Sequence, residues 1–226
     1  MNITFIKRLV TTSIGRKAVM AVSGLLLGFF MIIHLAENML LFKGEVAYNN
    51  WVDLLLSNPL TPLFEIGLLG LFLAHMAAGA WVRTEDFLNS PGGYDSRRWQ
   101  GGRTIGSATM LYSALALLAY LSYHMLTFRF VDHSMGFYQM VTSAFREKGY
   151  VAIYLAGTLA LVLHLSHGMQ SAFQTLGINH PKYTPFIKAL GWASALAMTG
   201  FALISVYFLL NLDLRAAGSA AMVVVR

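Results

Sequence analysis

The chain has 226 residues, of which 57% are hydrophobic and 12% are charged, and its mean hydropathy is +0.60. This composition is typical of an integral membrane protein and argues against an ordinary soluble domain. The absence of cysteine excludes a thioether-bound haem, an iron–sulfur cluster and a thiolate zinc site from this chain. The net charge of +6 would suit a nucleic-acid partner, but the basic residues lie mostly in short loops between apolar segments. We therefore interpret them as a membrane topology signal and expect no nucleic acid.

Five apolar segments approach or exceed the length needed to cross a bilayer. They predict an all-α integral membrane protein, in which residues 1–226 form a single domain, one five-helix bundle in a lipid bilayer. Pro62 suits the first turn of the second helix, and Gly177 predicts the end of the fourth. The basic N-terminal arm has no recognisable cleavage site, so we expect a retained first helix and not a signal peptide. The predicted transmembrane helices span about 17–41, 62–84, 105–128, 150–175 and 187–211.

Lysine and arginine orient this predicted bundle, because cytoplasmic loops are enriched in both. Ten of the sixteen fall on the side of the N-terminus: Lys7, Arg8, Arg16, Lys17, Arg83, Arg97, Arg98, Arg103, Lys182 and Lys188. Six fall on the other side: Lys43, Arg129, Arg146, Lys148, Arg215 and Arg226. The excess predicts a cytoplasmic N-terminus and a C-terminus outside.

Histidines occur on four of the five predicted helices. His34, His75 and His124 lie on the first three, and the fourth carries His164 and His167 on one face. An ionisable residue within a membrane helix is costly, so it indicates a functional site. The other two histidines are expected in solvated loops: His133 and His180.

The predicted depths of these histidines fall into two levels. At the helical rise per residue, His75 lies about 12 Å from the cytoplasmic end of its helix. His164 and His167 lie roughly 12 to 20 Å from theirs, and His34 and His124 about 25 to 30 Å from theirs. The helices therefore offer one inner and one outer pair of facing imidazoles.

Two facing imidazoles at one depth predict a bis-histidine haem site, because neutral imidazole is a good axial ligand for haem iron. The alternative is that each histidine only hydrogen-bonds a neighbouring helix. Gly24 and Gly28 form a GxxxG pattern, which is more often a sign of close helix packing. Small residues near the candidate ligands would admit a flat macrocycle: Gly28, Ala78, Gly79 and Gly168. Three methionines could also bind iron, but we expect them to pack in the core: Met31, Met76 and Met125.

Charged residues near the predicted sites have two interpretations each. Glu37, Asp53 and Glu65 lie near the predicted outer boundary, where they could move protons at a quinone site or be interfacial charges. Arg83 lies two turns from His75 and could bind a haem propionate, or it could only set topology.

The segments that contain the histidines resemble those of a known protein family, and the resemblance extends over nearly the whole chain. They are GLLLGFFMIIH ending at His34, LFLAH ending at His75, the segment around His124, and HLSHGMQSAFQTLG beginning at His164. With these segments the chain resembles the five-helix, two-haem cytochrome b subunit of succinate:quinone oxidoreductases, a group that includes fumarate reductases. Cytochromes b of the quinol:cytochrome c reductases differ, because they place two histidines on each of two helices.

The resemblance implies the ligand pairs. His75 and His164 would hold the inner b haem, and His34 and His124 would hold the outer one, both without covalent attachment. Depth alone slightly favours His167 on the fourth helix, but the spacing to Gly168 and Gly177 favours His164. His167 would then be a close neighbour that hydrogen-bonds a propionate.

The resemblance also implies the partners and the location. A flavoprotein subunit and an iron–sulfur subunit would dock on the cytoplasmic face of a bacterial inner membrane. This chain has neither cysteine nor a dinucleotide-binding fingerprint, so succinate oxidation would belong to those subunits. Its own share would be electron transfer through two haems and the quinone half-reaction, with menaquinone as the quinone expected in two-haem members.

Val162 bears on the expected direction of the reaction. Some fumarate-reducing relatives carry a glutamate two residues before the inner ligand on the fourth helix, where it carries a proton that compensates electron movement. Here that position is Val162, which cannot carry a proton. We therefore expect succinate oxidation to be favoured.

Two other functions fit parts of the sequence. The membrane cytochrome b of a hydrogenase or a formate dehydrogenase would share the bis-histidine chemistry, although not one histidine on each of four successive helices. A proton-coupled transporter could use buried histidines and would contain no haem.

Overall fold

The computed structural model describes residues 8–9, 11–89, 105–178 and 180–224, with side chains as far as residue 211. This part of the chain contains helices and no strand. In chain order the helices are α1 (Ser13–Asn38), a 3-10 helix (Met39–Lys43), α2 (Glu45–Ser57), α3 (Thr61–Asn89), α4 (Ile105–Phe128), α5 (Phe137–Ala144), α6 (Lys148–Thr175), α7 (Thr184–Ala197) and α8 (Thr199–Val224).

Within the described ranges, five helical segments are long and apolar enough to cross a membrane, as the sequence predicts. They are Ser13–Lys43, Thr61–Asn89, Ile105–Phe128, Lys148–Thr175 and Thr184–Asn211. The third has the predicted bounds, whereas the second continues past residue 84 to Asn89. The fifth is divided at Met198 into α7 and α8, a break that its apolar sequence does not reveal.

Local sequence explains where several helices begin and end. The side chain of Thr12 precedes α1 and accepts a hydrogen bond from the backbone nitrogen of Gly15 at 3.0 Å, as an N-cap does. Gly177 follows α6 with φ +84°, and the backbone nitrogen of Ile178 donates to the oxygen of Phe173 at 3.0 Å. This is the glycine C-cap geometry, so the helix end predicted at Gly177 is confirmed.

Two helices were not predicted, α2 and α5, and both are too short to span a bilayer. Asn49 joins them, because its Oδ1 atom accepts a hydrogen bond from the backbone nitrogen of Tyr138 at 2.9 Å. The rings of Tyr48 and Tyr138 also approach, with centroids 6.4 Å apart. These contacts pack α2 and α5 together in the connections between spans.

The two loop histidines differ from each other. His180 is exposed, as predicted. His133 is half-buried: its Nε2 atom donates to the backbone oxygen of Phe128 at 2.9 Å, and its ring stacks on Phe137 with centroids 4.5 Å apart. His133 therefore lies in a loop as predicted, but its side chain is only partly exposed, because its ring packs on Phe137 and bonds to the end of α4.

The chain contains two compact units. Unit 1 consists of Met1–Met31, Pro59–Met110 and His164–Ser194, and unit 2 consists of Ile32–Asn58, Leu111–Leu163 and Ala195–Arg226. His75, His164 and His167 belong to unit 1, whereas His34 and His124 belong to unit 2. Each unit therefore contains one of the predicted ligand pairs.

The cores of the units differ in composition. Most buried residues of unit 1 are small, among them Ala21, Ser23, Ala78 and Ala172. Unit 2 has a cluster of larger buried side chains: Leu41, Tyr48, Val141, Phe145, Val151, Tyr154, Ile204 and Phe208. Part of this cluster comes from α2 and α5, so these short helices contribute to the core of unit 2.

Several residues used to predict topology lie outside the described side chains: Lys7, Arg97, Arg98, Arg103, Arg215 and Arg226.

Candidate functional site

The histidines of unit 1 form a facing pair. The rings of His75 on α3 and His164 on α6 have centroids 6.3 Å apart and planes inclined at 77°. Both side chains are half-buried. His167 lies one turn further along α6 and is also half-buried, but the described ring contact of His75 is made with His164. The choice of His164 over His167 as the ligand stays a prediction.

The histidines of unit 2 form a second facing pair with nearly the same geometry. The rings of His34 on α1 and His124 on α4 have centroids 6.1 Å apart and planes inclined at 88°. Phe201 on α8 lies beside His34, with ring centroids 5.8 Å apart. The structure therefore brings together the same two pairs that the sequence predicts.

These spacings can be compared with those of two imidazoles bound to one metal ion. A metal–imidazole bond is about 2.0 Å long and the ring centre lies about 1.1 Å beyond the nitrogen, so two collinear ligands have centroids about 6.2 Å apart. The observed values of 6.3 Å and 6.1 Å are compatible with this spacing, which also lies within the range of about 4.5–7 Å for ordinary ring pairs. No group of three or more histidine, cysteine, aspartate or glutamate side chains suited to a metal occurs in the described part of the chain, but axial ligation of haem needs only two.

The protein orients the ring of His75 through its Nδ1 atom. That atom lies 3.0 Å from the backbone oxygen of Met20 and 3.2 Å from the hydroxyl oxygen of Ser23. A carbonyl can only accept, so Nδ1 carries the proton and Nε2 keeps its lone pair. Metal-binding histidines usually have such a partner on the second nitrogen. His75 is therefore in the tautomer that binds a metal through Nε2.

Gly24 leaves the space that the ring of His75 occupies. A Cβ atom built on Gly24 would lie 2.9 Å from Cε1 and 3.2 Å from Nδ1 of His75. The first glycine of the GxxxG pattern thus makes room for an imidazole ring, a role that the sequence interpretation of helix packing did not anticipate. A Cβ atom built on Gly28, by contrast, would lie no closer than 3.5 Å to a neighbouring side chain, at the sulfur of Met169.

His124 is oriented by a tyrosine. Its Nδ1 atom lies 2.9 Å from the hydroxyl oxygen of Tyr154, a side chain that is only 5% exposed. Tyr120 packs against Tyr154, with ring centroids 5.3 Å apart. Sequence reasoning missed Tyr154, because tyrosines in apolar helices follow no spacing that would single out one of them.

His34 has a carboxylate as its neighbour. The Nδ1 atom of His34 and the Oε2 atom of Glu37 are 3.7 Å apart, within one turn of α1. Glu37 also lies near Tyr48 of α2: burial is the main cause that raises the pKa of Tyr48 to about 12, and the Glu37 carboxylate adds to it. Tyr48 therefore stays protonated across the physiological pH range.

The three acids predicted for a quinone site are not grouped together. Glu37 is half-buried and Asp53 is exposed, and both belong to unit 2 with His34 and His124. Glu65 is exposed and belongs to unit 1. Two of the three candidates therefore share a unit with the predicted outer pair.

Two arginines of unit 1 lie in different settings. Arg83, which the sequence allows as a propionate partner or as a topology-setting charge, is exposed. Arg16, which we interpreted only as a topology-setting charge, forms an ion pair with Glu85, and its side chain is 11% exposed. Its guanidinium carbon also lies 5.0 Å from the ring centroid of Trp81, a cation–π distance. Arg16 thus links α1 to α3 within unit 1.

A scan of protein-family models, a search of curated proteins and a search of solved structures each find no match to this chain.

Proposed function

We propose that this chain is the cytochrome b membrane-anchor subunit of a succinate:quinone oxidoreductase, which relays electrons through two b haems between an iron–sulfur subunit and membrane menaquinone. The observation that carries the proposal is the pair of facing imidazole sites, with ring centroids 6.3 Å and 6.1 Å apart. The histidine-bearing segments quoted above support it through their resemblance to that family.

In this proposal the four ligands are His75 with His164 and His34 with His124. Bound between two imidazoles, a b haem supplies reversible one-electron transfer. The protein's share is to hold the rings and fix their tautomers, and the contact between Nδ1 of His75 and the Met20 oxygen does so directly. Neutral imidazoles on facing helices need no cysteine, in agreement with the composition.

The quinone half-reaction requires groups that deliver or accept protons. Glu37 and Asp53 are the best-placed candidates, because they share unit 2 with His34 and His124. Glu65 remains a third candidate from the sequence. Tyr48 lies near Glu37 and stays protonated below a pKa of about 12, so it could donate a hydrogen bond to a quinone oxygen but would not serve as a base near neutral pH.

The proposed partners come from the resemblance, and the composition of the chain is compatible with them. Succinate oxidation requires a flavin and its electrons require a relay, and this chain has neither a dinucleotide-binding fingerprint nor cysteine. We propose that a flavoprotein and an iron–sulfur subunit bind on the cytoplasmic face of a bacterial inner membrane. The N-terminus of the chain would lie on that face and its C-terminus outside.

The test is to purify the chain from its native membrane with its associated subunits. The expected result is two haems b per chain by pyridine haemochrome assay, together with a flavoprotein and an iron–sulfur protein that reduce quinone with succinate. A colourless preparation would contradict the proposal and favour a proton-coupled transporter. Two haems with a hydrogenase or formate dehydrogenase subunit would keep the bis-histidine sites but overturn the assignment to succinate.

A further inference from the structure

The carboxylate of Glu37 sets His34 apart from two of the other candidate ligands. It lies 3.7 Å from Nδ1 of His34, and the two side chains are 23% and 31% exposed. The Nδ1 atom of His75 instead faces a neutral carbonyl and a hydroxyl, and that of His124 faces the phenol of Tyr154. One ligand of the unit 2 pair therefore has a group that can carry a full negative charge beside its outer nitrogen.

A carboxylate beside the Nδ1 atom of a ligating imidazole has a predictable effect on the metal. It increases the basicity of the ligand and fixes its orientation. It also stabilises the ferric state more than the ferrous state, because the ferric state carries one more positive charge. One electron is gained on reduction, no bond is broken, and no proton is required by this effect. The carboxylate should therefore make reduction less favourable.

We propose that Glu37 is a positioning residue that lowers the reduction potential of the haem held by His34 and His124. This inference depends on the proposed function, because it requires haem at that pair. Glu37 acts through the imidazole of His34 and through its charge, not by contact with the iron. The haem held by His75 and His164, in the other unit, should not respond to Glu37 in the same way.

The substitution Glu37→Gln tests this inference in the purified complex. Glutamine keeps the shape of the side chain and removes its charge. Optical potentiometric titration should resolve two haem components, and the variant should raise the midpoint of one. At a fixed potential the ferrous-to-ferric ratio of that haem should be about tenfold higher in the variant than in the wild type. This corresponds to a rise of about 59 mV in its one-electron midpoint potential.

Two further variants serve as controls. Glu45→Gln removes an equal charge from an exposed residue of α2 in the same unit, where the carboxylate accepts a hydrogen bond from Gln139, and it should leave both midpoints unchanged. Glu37→Asp keeps the charge, and its two midpoints should remain close to those of the wild type.

Two other variants identify which haem is shifted. Tyr154→Phe should change the low-spin electron paramagnetic resonance signal of the component that Glu37→Gln shifts, whereas Ser23→Ala should change the signal of the other.

The outcomes separate this inference from the proposed function. Two haems whose midpoints are both unchanged in Glu37→Gln would overturn the role of Glu37 and leave the cytochrome assignment intact. Equal shifts of the haem midpoint in Glu37→Gln and Glu45→Gln would also overturn the role of Glu37, since any nearby charge would then have the same effect on the potential. Loss of one haem in Glu37→Gln with retention in Glu37→Asp would support the role through its charge. A wild-type complex without haem would overturn both.

Discussion

Gly24 lies so close to His75 that a Cβ atom on the glycine would come within 2.9 Å of Cε1 of the imidazole. The contact occurs within unit 1 and uses the same turn of α1 that supplies the Met20 oxygen and the Ser23 hydroxyl to Nδ1. One short stretch of α1 thus fixes both the position and the tautomer of His75, a candidate ligand on α3.

The first prediction follows from this contact. Gly24→Ala should displace the ring of His75, at a cost of about 1–3 kcal/mol for overpacking, and should reduce the haem bound by His75 and His164. Haem per chain and the low-spin spectrum measure the loss. Gly70→Ala, on the helix that carries His75, is the matched control, because a Cβ atom built on Gly70 meets no atom within 4 Å, and it should retain both haems. Equal losses in the two variants would mean that the contact of Gly24 with His75 is not what retains the haem.

The second prediction concerns ligand identity. His75→Ala and His164→Ala should each remove one haem and leave the other at least partly assembled, because the remaining pair belongs to the other unit. His167→Ala should retain both. The pyridine haemochrome assay on each purified variant gives the count. Loss of a haem in His167→Ala, with both retained in His164→Ala, would transfer the ligand role to His167.

The third prediction concerns the quinone site. Replacing Glu37, Asp53 and Glu65 together by their amides should slow quinone reduction by at least tenfold, a common effect of losing a proton-transfer group. Succinate oxidation with an artificial acceptor should remain intact. Of the single variants, Asp53→Asn should affect quinone turnover more than Glu65→Gln, since Asp53 shares a unit with His34 and His124. Unchanged turnover in the triple variant would place the quinone site elsewhere.

The fourth prediction concerns Asn49. Asn49→Ala removes the acceptor of the Tyr138 backbone nitrogen and should destabilise the packing of α2 on α5 by about 1–2 kcal/mol. The Tm of the purified protein should fall by about 2–8 °C. Asn50→Ala, at the exposed neighbouring position, should change the Tm by much less. A similar fall in both variants would show that the α2–α5 contact contributes little.

Helical rise converts residue number into depth, and depth separates His34 and His124 from the histidines of the second and fourth predicted helices. The choice of His164 over His167 needed the resemblance and its glycine spacing, because depth alone slightly favours His167. The same rule cannot locate Tyr154 beside His124, since it gives the level of a residue and not the direction of its side chain. Ser23 and Gly24 resemble ordinary packing residues for the same reason. Short helices such as α2 were missed because their apolar residues form no run long enough to stand out from a loop.

The fifth prediction concerns direction. With succinate oxidised on the cytoplasmic side and quinone reduced toward the outside, electrons moving outward gain up to about 2.3 kcal/mol per 100 mV of membrane potential. Val162 on α6 cannot carry a compensating proton. Succinate oxidation by menaquinone in liposomes should therefore slow when an uncoupler collapses the potential. A rate that does not fall would show that proton movement compensates for the charge.

The alternation of ligands along the chain has a consequence for biosynthesis. His34 is paired with His124 and His75 with His164, so the first pair is complete once three spans have left the ribosome, whereas the second must await a fourth. A nascent chain thus acquires both imidazoles of the unit 2 pair before those of the unit 1 pair. The contact of Tyr154 with His124 forms only after the fourth span has been made. Ile204 and Phe208 join the unit 2 core later still, with the fifth span. If haem binds there as proposed, its capture at His34 and His124 can begin during translation and is completed only when the last two spans have been made.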